Sequence, residues 1–307
     1  MKKHLLIIPL LLAFMACTND SPELPGVFSV SKTKQIQFSP GVLQYRASTD
    51  TWRFASSQLE FMKEGNRNIS PTYNGWIDLF GYGTSGYDGK MPYQTSTNRS
   101  DYAPTGDDGI TGTEYDWGIH CQIENGGPKG SWRLPTNDDW YWILSRRENF
   151  LNLATMVYVD TLAGLLVFPD GWENTTGIQL QFPDHMLIDT LNHDLSEHNR
   201  LTKSQFKRFE RMGAIFMPNI GFRQKSYYYY YRQGVSRYWT SNSLYAGAGP
   251  WALGVTSGSA LCRPVSVDYS GHYVRLVKDV QTKWFFCKLV EDCVGVFGAN
   301  PAAFFTS

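Results

Sequence analysis

Three groups of residues in this sequence carry side chains that chemistry could use. The cysteines come first. Four of the five, Cys121, Cys262, Cys287 and Cys293, show no Cys-x-x-Cys zinc spacing, and disulfide and free buried thiol both stay open for them. The second group lies in residues 184–198, where acidic residues accompany three histidines. His193 and His198, with Asp194 and Glu197, are of types that bind a divalent ion, but a solvated loop or helix face is the simpler account, and no metal is expected. Asp107-Asp108-Gly109 likewise lacks the spacing of a calcium loop.

The third group is a run of five tyrosines at 227–231, followed by Arg232, Arg237 and Tyr238. Alternate residues of a strand point to opposite faces, so some of these rings must meet solvent. Exposed aromatic rings give a large contact area at low entropic cost, which suits stacking on a sugar or contact with a protein. Cross-strand pairing inside the sheet is the competing use of any one ring. Tyr227, Tyr229, Tyr231, Arg232, Arg237 and Tyr238 are therefore the candidate ligand-binding residues. Trp76, Trp117, Trp132, Trp140 and Trp172 are expected in the core. No nucleophile elbow, glycine-rich phosphate loop or spacing-nominated carboxylate pair occurs, so neither a catalytic residue nor a cofactor is expected.

The element that organises these groups is predicted at Trp132-Arg133-Leu134-Pro135-Thr136. Leu134 precedes a proline and reads as extended. Thr136 or Asn137 then caps a helix reaching toward Glu148, with Asp138 and Asp139 where the helix dipole favours negative charge. Trp140, Ile143, Leu144 and Arg147 recur on one face. Strands are predicted before it at 34–38, 42–45 and 51–54, and residues 65–130 read as an ordered, loop-rich insertion pinned by Trp76, Ile77, Leu79, Phe80 and Trp117. After it come a buried strand at 163–168, a turn at Pro169-Asp170-Gly171 and a Thr202-capped helix to Met212. Strands at 214–218, 221–223, 227–231, 238–241, 251–255 and 273–277 complete the pattern. This alternation describes an α+β fold with mostly antiparallel pairing.

The 307 residues allow one large domain or two small ones. Lys plus Arg equal Asp plus Glu at 28 each, so no net field favours nucleic acid. Met1-Lys2-Lys3 and the apolar stretch to Met15 form a signal too short to span a bilayer permanently. It ends Ala13-Phe14-Met15-Ala16-Cys17, which resembles a relaxed bacterial lipobox. By that resemblance Cys17 becomes the lipidated N-terminus, and the chain's membrane contact is the lipid anchor.

Five motifs, in order, resemble a known family. They are Trp132-Arg133-Leu134-Pro135-Thr136 with Asp139-Trp140, then Phe168-Pro169-Asp170-Gly171-Trp172, then Gly213-Ala214-Ile215-Phe216-Met217-Pro218 with Gly221-Phe222-Arg223. Tyr238-Trp239-Thr240-Ser241 and Tyr273-Val274-Arg275-Leu276-Val277 follow. The succession is similar to the paralogous lipoprotein domains of Bacteroidetes and Fibrobacter, themselves similar in fold to formylglycine-generating enzymes and, more distantly, to C-type lectins. The resemblance implies a signal peptide at 1–17, a tether at 18–27, a C-type-lectin-like domain at 28–279 with two helices and long loops, and an extension at 280–307.

It also implies which chemistry to test. A copper oxidase of the formylglycine-generating type needs two neighbouring thiolates. Cys262 stands near one such place, but the partner position falls around Ser257. The Glu-Pro-Asn, Gln-Pro-Asp and Trp-Asn-Asp motifs of calcium-dependent lectins do not occur. The expectation is an outer-membrane lipoprotein, facing the periplasm or the cell surface. Its non-catalytic domain would recognise a glycan or another envelope protein through the tyrosines. A fimbria-like structural component or a degenerate enzyme is the alternative.

Overall fold

The computed structural model describes residues 24–68, 70–105, 109–185, 195–230, 235–242, 249–265 and 270–280. Cys17, His193, Asp194, Tyr231, Arg232, Cys287, Cys293 and the extension from residue 281 onward lie outside them. In chain order the strands begin with β1 (Phe28–Ser29), β2 (Gln35–Phe38), β3 (Leu43–Arg46), β4 (Thr51–Phe54), β5 (Ala154–Val159), β6 (Leu162–Val167), β7 (Arg200–Leu201) and β8 (Ile215–Pro218). They continue with β9 (Gly221–Gln224), β10 (Tyr227–Tyr230), β11 (Ser236–Trp239), β12 (Trp251–Val255), β13 (Ala260–Pro264), β14 (Ser270–Gly271) and β15 (Val277–Asp279). The helices are α1 (Trp117–His120), α2 (Asn137–Ser145), α3 (Leu195–His198) and α4 (Lys203–Arg211).

These strands form several small sheets, ordered β7-β5-β6-β8, β1-β2-β15, β10-β9-β14, β11-β12-β13 and β3-β4. Only β5 and β7 pair in parallel among them. The chain is thus an α+β domain. Periodicity explains most elements. In β2, Ile36 and Phe38 are buried while Gln35 and Gln37 stay half-exposed, the alternation of a strand with one covered face. In β6 the interior is buried on both faces because β5 and β8 flank it and further layers cover it.

Both nine-residue helices open with a reciprocal capping box. Thr136 Oγ1 accepts the Asp139 amide at 3.0 Å while Asp139 accepts the Thr136 amide at 2.9 Å. Thr202 and Gln205 repeat the arrangement at α4. The first helix is shorter than its sequence pattern predicts, closing at Arg146. The single-turn helices α1 and α3 were not among the two expected.

Arg133 fastens the start of α2 to the end of the chain. Its guanidinium reaches Asp139 at 2.7 Å and Asp279 at 2.8 Å. Asn137 adds a second tie, donating to the Asn242 carbonyl at 2.9 Å and accepting the Thr240 hydroxyl at 2.8 Å. Trp140 is fully buried, its ring 5.3 Å from Phe38.

The predicted strand at 273–277 is not one strand. Its residues pair in turn with several different elements. His272 and Phe80 exchange backbone hydrogen bonds, Tyr273 bridges Tyr238, the Leu43 amide donates to Val274, and Val277 pairs with Phe38 in β2. Each partner lies in a different sheet or loop, so no continuous ladder can form.

Two of the tryptophans expected in the core are only half-buried. Trp76 lies under the guanidinium groups of Arg46 and Arg53, at 4.3 and 4.1 Å from its ring, a cation–π arrangement at the surface. Trp172 stacks on Phe168 with ring centroids 3.7 Å apart.

Two buried carboxylates hold backbone rather than balancing a cation at close range. Asp78 accepts the Met62 amide at 2.8 Å and the Asn66 side chain at 2.7 Å. Asp116 caps α1 and accepts the Leu134 amide at 2.8 Å. Burial pushes Asp78 up to about 7 and Asp116 up to about 6, against the pull of those hydrogen bonds. The native state therefore holds the Asp78 proton more tightly than the unfolded chain, whose aspartates titrate near about 3.9. This group's contribution to stability falls as pH rises from about 4 to 7 and is flat above. His272, kept neutral by burial, acts in the opposite sense as pH falls below about 6.5. The clean measure is the difference between wild type and Asp78→Asn in urea denaturation. That difference should drift against the wild type across pH 4–7; parallel profiles would refute the assignment.

Candidate functional site

The tyrosine run folds into one strand of a hairpin. In its register Tyr227 faces Gln224, Tyr228 faces Arg223, Tyr229 faces Phe222 and Tyr230 faces Gly221. Cross-strand partners share a face, so Phe222, Gln224, Tyr227 and Tyr229 lie on one side and Arg223 and Tyr228 on the other. Lys225 turns the chain with φ +52°.

The Arg223 side is internal except at its end, where Tyr230, opposite Gly221, is 46% exposed. The Arg223 guanidinium donates to the carbonyls of Leu79, Gln94 and Lys225 at 3.0–3.3 Å, and burial lowers its pKa to about 10, which leaves it charged at neutral pH. Tyr228 donates its hydroxyl to the Ile220 carbonyl at 3.1 Å. The opposite side is the outer one. Tyr229 stacks on Phe222 at 5.3 Å with planes 15° apart, and Tyr227 beside them is 59% exposed.

Gly221 sets the hairpin's geometry. Its φ is +139°, and a Cβ there would sit 1.9 Å from the Tyr229 carbonyl oxygen. The amides of Ile220 and Gly221 both donate to Ser236 Oγ at 2.6 Å, which locks the hairpin to β11.

Of the sequence-nominated residues, the fold brings Tyr227 and Tyr229 together, joined by Phe222, which sequence reasoning passed over. Tyr238 is a correction. β11 is covered on both faces at Tyr238 and Trp239, and Tyr238 is 1% exposed and donates to the Pro218 carbonyl at 2.8 Å. It cannot meet a ligand at the surface. Arg237 is half-buried, and burial lowers its pKa. Its charge helps hold His272 neutral, and His272 packs 4.6 Å from Trp239 and 6.1 Å from Phe222. Tyr231 and Arg232 lie outside the described residues.

Of the two described cysteines, neither has a lowered thiol pKa. Cys121 is buried and Cys262 half-buried, and both are unpaired. Desolvation raises both thiols, Cys262 to about 12, so neither is a thiolate at neutral pH. Among the described residues no group of three His, Cys, Asp or Glu could hold a metal ion, and no helix is long and apolar enough to cross a membrane.

Sequence reasoning also missed a cleft of about 1070 Å³ beside the C-terminal end of α2, lined in part by Trp142, Asp170 and Trp172. Its walls come from segments more than 130 residues apart, such as Gln35 and Asp170, whose side chains meet at 3.4 Å. Only the Phe168-Pro169-Asp170-Gly171-Trp172 motif hinted at it.

No family model, no curated protein and no solved structure matches this chain. The geometry alone defines the class, an α+β domain presenting an aromatic hairpin face. Removing an exposed ring and a buried one should therefore differ sharply. Tyr227→Ala should change unfolding free energy by less than about 0.5 kcal/mol, whereas Tyr238→Ala should cost about 3–5 kcal/mol. Equal costs in chemical denaturation would contradict the orientation of the two rings.

Proposed function

We propose that this protein is a non-catalytic recognition domain, held at the cell envelope by a lipid on Cys17, that binds a glycan on the outer aromatic face of the β9–β10 hairpin. The observation that carries the reading is the row formed by exposed Tyr227 and the stacked Tyr229–Phe222 pair. A ring braced from behind loses little entropy on binding, and its flat face suits the apolar side of a pyranose. The ordered motifs from Trp132 to Val277 support a C-type-lectin-like domain, similar to formylglycine-generating enzymes, and an outer-membrane lipoprotein facing the periplasm or the surface.

The test is a glycan array on the full chain, with and without EDTA, beside Tyr227→Ala and Tyr229→Ala. Saturable binding should survive EDTA and fall at least about tenfold in each variant, the loss of roughly 1.4 kcal/mol. Binding unchanged in both variants would remove the hairpin from the reading. A blank array on folded protein would transfer the face to a protein partner. In parallel, Cys17→Ser should move the protein from the membrane pellet to the soluble fraction; a variant that still pellets would remove the lipid anchor.

A further inference from the structure

The cleft beside α2 has a construction that the hairpin lacks. Its floor is rigid. Arg147, 4% exposed, donates to the carbonyls of Ile143 and Phe168 at 2.8 Å and to Asp170 Oδ1 at 3.2 Å. Asp170 Oδ2 accepts the Ser29 amide at 2.7 Å and its hydroxyl at 2.5 Å. The carboxylate is thus held by Arg147 on one side and by Ser29 and Gln35 of the β1–β2 hairpin on the other while remaining partly open, its side chain 27% exposed.

Above it stands Trp172. One face of the indole is taken by Phe168 at 3.7 Å, and Phe209 and Phe182 hold it from the sides. Its Nε1 is buried and has no hydrogen-bond partner. That nitrogen faces no solvent, so the cleft meets Trp172 through the surface of its ring. Trp142 contributes a second half-buried ring, and the neutral amides of Gln35, Asn149 and Asn152 line the same space.

We propose that this cleft binds a short neutral oligosaccharide, with an indole against a sugar face and hydroxyl groups meeting Asp170 and the amides. Three features select that class. Rigid rings beside directional amide and carboxylate groups match a ligand that is apolar on its faces and hydroxylated at its edge. The charged side chains around the cleft, Lys32, Arg146 and Arg147 against Glu148 and Asp170, nearly cancel, which offers no field for an anion. The volume, about 1070 Å³, is at the upper end of small-ligand sites and suits more than one sugar unit. The site stands independently of the hairpin.

The test uses the full chain purified in detergent, titrated by tryptophan fluorescence and calorimetry. The probes are short gluco-, manno- and xylo-oligosaccharides and N-acetylglucosamine oligomers. At least one series should bind saturably. Trp172→Phe keeps an aromatic ring against Phe168 but offers a sugar less ring area, and should weaken binding several-fold with little change in melting temperature. Trp172→Ala should abolish binding, Asn152→Ala at the exposed rim should weaken it several-fold, and Tyr227→Ala should leave it unchanged. Silence from every probe on folded wild type, or wild-type affinity in Trp172→Phe, overturns the assignment. Loss in Tyr227→Ala with normal binding in both Trp172 variants would place sugar recognition on the hairpin alone. The reverse pattern would leave the cleft and remove the hairpin.

Discussion

The structure depends on one stretch of backbone, the last described turn of chain from Ser270 to Asp279. Residues 272–277 are all buried, including His272 and Arg275. The stretch pairs with β9 at Ser270, Phe80 at His272, Tyr238 at Tyr273, Leu43 at Val274 and β2 from Val277. Sheets this small cannot each bury enough apolar surface to stand alone. A single buried segment that completes hydrogen bonds for several of them makes their stability mutual. Arg133 extends the coupling, joining Asp279 at the end of that stretch to Asp139 in the capping box of α2.

This economy explains where the aromatic residues go. Tyr238 and Tyr273 pack against each other at 5.4 Å because the segment brings their strands side by side. The β9–β10 hairpin lies at the margin of that arrangement. It is joined through β14, Ser236 and the carbonyls that receive Arg223, so only its inner face is consumed by the fold. The outer face, with Tyr227, Tyr229 and Phe222, is left over from stability and open to recognition. The α2 cleft arises similarly. Arg147 and Asp170 satisfy the floor, while the Trp172 indole is stacked into place with its donor unmet.

Local features were readable from the chain. Thr136 with Asp139 and Thr202 with Gln205 encode helix starts within four residues, and both capping boxes form. The alternation of β2, the continuous apolar run of β6 and the turn after Phe168 are equally local, because periodicity and turn chemistry act over a few residues. The α+β class followed from their order. Where the reading failed, the reason was distant. Tyr273 to Val277 has the composition of a strand but serves several partners, and Trp76 has the composition of a core residue but lies under Arg46 and Arg53. Tyr238 and Tyr227 share a residue type, but β11 is covered on both faces at Tyr238 and Trp239, whereas β10 leaves Tyr227 exposed.

The sequence by itself determined that this chain has an α+β element order, two capped helices and a tyrosine strand, since each depends on neighbours along the chain. Only the tertiary structure decided which tyrosines face outward, and that Gln35, Arg147, Asp170 and Trp172 enclose one cleft. Those outcomes rest on contacts between segments up to 141 residues apart, such as Ser29 with Asp170, and no local pattern of residues encodes which distant surface will cover a given face.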